Sequence, residues 1–106
     1  MAKDAEHPTR VRLSEAKNRM SALRDVQAAL FDALACTAES IARTEDKSAE
    51  AHDHMAAHLP RAADHAARAR RFAAAERAAA SAYRNHEIPP EDVRQAIRDC
   101  RRSAGQ

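Results

Sequence analysis

Glycine is all but absent from this chain: among 106 residues only position 105 carries one. Without an internal glycine, no Gly-rich loop can cradle a phosphate, no dinucleotide fingerprint forms and no nucleophile elbow can be built. Tryptophan is missing, and Leu, Ile, Val and Phe together supply 13 residues. Val, Ile and Thr total nine, too few for a sheet, which draws on β-branched and aromatic residues and on glycine at its tight turns. No apolar run approaches the roughly 20 residues of a membrane span. The opening stretch, MAKDAEHPTRVRLSEAK, holds acids and no apolar h-region, so no secretory signal is expected. A cytoplasmic location and two reduced thiols follow as expectations. Cys36 and Cys100 form no CxxC element. Each falls on the apolar side of its helix and is expected to be buried.

What the chain does have is alanine, at 28 positions, and arginine, at 15 against three lysines. Both are good helix formers, and the combination also matches the codon usage of a GC-rich bacterial genome. The expected fold class is all-α, in one domain over about 10–102, with residues 1–9 and 103–106 as disordered tails.

Apolar periodicity divides that domain into three helices. Leu13, Ala16, Met20, Leu23, Leu30, Leu34 and Ile41 follow spacings of three and four with Gln27 and Thr37 between them, a heptad rhythm. Val26 and Phe31 widen the stripe, and Ser14 is the expected N-cap. This first helix is expected over about 12–57, with a break between Thr44 and Ser48 as the alternative. Pro60 ends it and opens a second helix over about 60–86. The second helix's apolar face is mostly small: Leu59, Ala62, Ala66, Ala69, Phe72, Ala73, Ala80 and Tyr83. Ile88-Pro89-Pro90-Glu91-Asp92 then opens a third over about 90–102, with Val93, Ala96, Ile97 and Cys100 on one face.

Charge supports a hairpin. Residues 32–53 carry six acids and two bases, and residues 61–84 carry six arginines and two acids. Antiparallel pairing sets these opposite charges side by side. A hairpin with so few large apolar residues is marginal alone. Dimerisation through Leu13, Met20, Leu23, Leu30, Leu34 and Ile41 is therefore expected to complete a four-helix-type bundle.

Three functional readings compete. The favoured one is a homo-oligomeric protein-interaction or scaffold module without catalytic activity or cofactor; its partner is itself, with a second protein also conceivable and no membrane. The second is a DNA-binding or nucleoid accessory protein. There Arg94, Arg98, Arg101 and Arg102 of a basic third helix would reach the nucleic acid, with Gln95 beside them, and Arg70, Arg77 and Arg84, repeating every seven residues, would touch phosphates. A net charge of only +2 weighs against it. The third is a divalent-metal protein using the one-face row Glu50, His54 and His58, with His65 near by. The same row reads more simply as a solvated helix end, and the arginines as the hairpin's own counter-charges.

Overall fold

The computed structural model describes residues 7–104. It is all-α: α1 spans Pro8–Met55, α2 spans Ala62–Arg84 and α3 spans Glu91–Ala104. These limits differ by one to four residues from those expected. The largest difference is at the start, where His7 accepts the Arg10 and Val11 amides at 2.8 and 3.2 Å. Pro8 then takes the first helical position, where its missing N–H costs nothing. Ser14 therefore lies inside the helix rather than capping it. Residues 1–6 and 105–106 of the two expected tails lie outside the described residues, whereas Ser103 and Ala104 belong to α3. The helix does not break between Thr44 and Ser48.

The chain divides into two units, one ending at Leu30 and one beginning at Phe31. In the first, every described residue except Ala16 and Ala28 is exposed. The second is a helical hairpin with a short third helix. Its core is built largely from methyl groups: Ala35, Ala38, Ala42 and Ala49 from α1, and Ala62, Ala66, Ala69, Ala73, Ala79 and Ala80 from α2, with Phe31 and Phe72 as the large members.

The buried seam of α1 runs through Phe31, Ala35, Ala38, Ala42 and Ala49, with half-buried Glu45 and His52 continuing its alternation of four and three. Phe31 thus leaves the Leu13 stripe, which it was expected to widen, and joins the hairpin. The register of the hairpin is written in charge. Arg70 pairs with Asp53, Arg77 with Asp46 and Arg84 with Glu39. Each step of seven residues up α2 is a step of seven down α1, as two antiparallel heptad repeats require. Leu59, expected on the apolar face of α2, is exposed in the turn before it.

The end of α2 supplies the left-handed residue that glycine usually provides. His86 has φ 56°; its amide donates to the Tyr83 carbonyl at 2.9 Å, and the Glu87 amide donates to that of Ala82 at 2.9 Å. This is the Schellman pattern. A histidine there costs more than glycine, but its ring stacks on Phe31 with centroids 5.3 Å apart and planes 7° from parallel. Tyr83 also lies against Phe31, with ring centroids 6.4 Å apart. α3 opens with Glu91 and Asp92 and closes with Arg101 and Arg102, each sign at the dipole end that favours it. It packs on α2, where Ala75 and Ala79, outside the expected apolar face, are buried, as is Glu76, which holds the seam position between Ala73 and Ala80.

Candidate interaction surfaces

In the first unit, the segment of α1 ending at Leu30 presents Val11, Leu13, Met20, Leu23, Val26 and Leu30 to solvent, each 40% to 67% exposed. Of these, Leu13, Met20, Leu23 and Leu30 follow the heptad spacing, so they form one exposed apolar row rather than scattered surface residues. In the second unit, Leu34 is exposed and Ile41 half-buried. Of the six residues expected in a dimer interface, four therefore belong to the open face of the first unit.

The expected phosphate contacts of α2 are occupied by its own chain. Arg70, Arg77 and Arg84 each hold a carboxylate of α1, and those guanidiniums keep Asp53, Asp46 and Glu39 below the usual carboxylate range. On α3, Arg94 and Arg98 both bind Glu91, at 2.7 and 2.6 Å, and Gln95 bridges Arg98 and Asp99. Arg101 reaches Glu76 of α2 at 3.6 Å. Arg102 is exposed. The +2 chain thus spends most of the arginine proposed for nucleic acid inside its own fold.

The metal row is cut by the fold. Glu50 and His54 lie on α1, but the helix stops at Met55, and His58 falls in the following turn with its amide on the Met55 carbonyl at 3.0 Å. Among the described residues, no group of three or more His, Cys, Asp or Glu side chains gathers as a metal ion would need. The histidines that do meet are His52 and His65, with ring centroids 5.2 Å apart. His52, not among the expected ligands, continues the buried seam begun at Phe31, the one pattern that could have singled it out.

These two rings line a cleft of about 310 Å³ at the junction of the three helices, with Glu45, Arg68, Cys100 and Ser103. His52 Nδ1 lies 2.8 Å from the Ser48 carbonyl, so that nitrogen carries the proton. Arg68 donates to His65 Nδ1 at 3.2 Å and to the Ser103 carbonyl at 3.3 Å, which leaves the His65 proton on Nε2. Arg68 thereby ties α2 to the last turn of α3.

The two cysteines separate. Cys100 is buried, and burial pushes its thiol above the usual value. Cys36, expected to be buried, is exposed, because the α1 seam passes through Ala35 and Ala38 and leaves position 36 about 100° around the helix. The most unusual polar group is Glu76. Its side chain is 4% exposed, its Oε1 has no hydrogen-bond partner and burial raises its pKa. Among the described residues no helix is long and apolar enough to cross a membrane. No family model, no curated protein and no solved structure matches this chain.

Proposed function

We propose that this protein is a non-catalytic helical interaction module. The unit beginning at Phe31 is its folded body, and the segment of α1 ending at Leu30 is the helix it offers to a partner. The observation that carries this reading is the row Leu13, Met20, Leu23 and Leu30, at heptad spacing and exposed along its length. Burying four such side chains against another helix stabilises a complex by about 1.5–3 kcal/mol each before association costs.

Face-selective crosslinking in the living cell tests this. A photoreactive side chain at Leu23, on the row, is compared with one at Ala22, which lies off it. A discrete adduct from position 23 and none from position 22 is the expected result. Equal adducts from both positions, or none from either, would show that the row is not a docking face.

A further inference from the structure

We infer that the partner of this face is an amphipathic helix flanked by acidic residues, not a second copy of this chain; the inference rests on the interaction reading above. With Leu13, Met20 and Gln27 as the first core position of each heptad and Thr9, Ala16, Leu23 and Leu30 as the second, the basic residues of the segment fall into place. Arg10, Lys17 and Arg24 each follow a second core position directly, and Arg12 and Arg19 each precede a first. These are the two positions that border the seam of a coiled coil and meet the partner's charges. All five basic residues described in the segment occupy them, while its two acids, Glu15 and Asp25, lie elsewhere. The five are exposed, and none has a carboxylate within 4 Å among the described residues. In the folded body the opposite holds: the arginines of α2 that border its seam are each matched by an acid of α1.

This bordering rules against self-pairing over the same stretch. A parallel second copy sets Arg12 against Lys17 and Arg19 against Arg24 of its neighbour, four like-charge contacts in all. Antiparallel copies that overlap these heptads bring Lys17 onto Arg24, or Arg24 onto its own counterpart. Like charges so placed cost affinity and select against that partner. The homodimer expected from the apolar stripe alone therefore gives way to a complementary helix. The seam itself favours a helix over a lipid surface, because its core positions include Ala16 and Gln27 and five basic residues border it, whereas a membrane-bound helix wants a broad bulky face.

Two synthetic peptides test the inference on the full chain. Both are three heptads long with leucine at the core positions; one has glutamate and the other lysine at every bordering position. Titration calorimetry at low salt is expected to show the glutamate peptide binding at least about tenfold more tightly, with the advantage shrinking as salt screens the contacts. Reversal of Arg12, Lys17, Arg19 and Arg24 to glutamate is expected to invert the preference. Equal affinity for the two peptides, or a tight dimer of the chain alone that takes up neither, overturns the inference. So does uptake by vesicles of phosphatidylcholine and phosphatidylglycerol without uptake of either peptide. The crosslinking result separates the two failures: a positive adduct at position 23 with no peptide discrimination leaves the face and removes only its acidic partner.

Discussion

Glu76→Gln is expected to stabilise the protein at neutral pH. The carboxylate is buried on α2 beside α3, one oxygen has no partner, and among the described residues the one cation near it, Arg101, stands 3.6 Å away on a side chain that is itself mostly exposed. An unsatisfied buried polar group costs about 1–3 kcal/mol, and more when charged. Glutamine keeps the shape and removes the charge, so a gain of about 1–3 kcal/mol is expected, or about 4–8 °C in Tm for each kcal/mol in a chain of this size. The pH dependence carries the sharper signature. Burial raises the folded pKa of Glu76 above its ordinary 4.5, so the folded state binds the proton more tightly than the unfolded chain. Wild-type stability therefore rises as pH falls through the folded pKa, and the gain is complete below about 4.5. The difference between variant and wild type is largest at neutral pH and vanishes near that point. Groups other than Glu76 are common to both proteins, and their contributions cancel in the difference. Urea unfolding at a series of pH values reads this directly. A destabilised Glu76→Gln variant, or a difference that does not change with pH, would refute the reasoning.

Other expectations follow from the same contacts. Reversing Arg77 to aspartate breaks the middle rung of the hairpin ladder and lowers Tm, and adding Asp46→Arg restores most of the loss if the two helices hold the observed register; thermal melts at low and high salt measure it. Because Glu39, Asp46 and Asp53 have lowered pKa values, the ladder's contribution is present above their ordinary values and is lost as pH falls below about 4, a window distinct from that of Glu76. Phe31→Ala removes the ring beneath His86 and Tyr83 and costs about 3 kcal/mol in chemical denaturation, whereas Leu23→Ser, at an exposed position, changes stability by about 0.5 kcal/mol or less. A thiol reagent modifies Cys36 in the native state and reaches Cys100 only as fast as α3 opens; peptide mapping by mass spectrometry distinguishes them.

The sequence made the helices and their pairing legible for a physical reason. Charge complementarity between 32–53 and 61–84 survives in the rungs Glu39–Arg84, Asp46–Arg77 and Asp53–Arg70, because surface ion pairs at heptad spacing leave a periodic trace. Which face of α1 enters the hairpin left a fainter trace. Leucines advertise a seam, so the Leu13–Ile41 stripe stood out, while the buried seam of Phe31, Ala35, Ala38, Ala42 and Ala49 was hidden among 28 alanines. That one displacement explains why Cys36 is exposed, why Phe31 turns inward and why His52, not His54, meets His65. Glu76 was illegible for a related reason. It stands at a seam spacing of α2, between Ala73 and Ala80, where a charge reads as a polar gap in a stripe of alanines until a third helix is known to pack there.

Native-state hydrogen exchange on the isolated chain, at low concentration, tests the central claim most directly. The amides of residues 12–30 belong to a helix whose apolar side chains are uncovered, and a lone helix of that length is marginal in water. They are expected to exchange orders of magnitude faster than those of residues 66–80, which lie within the buried α2. Protection of 12–30 equal to that of 66–80 would mean that the chain covers its own leucines, and that no docking face is on offer.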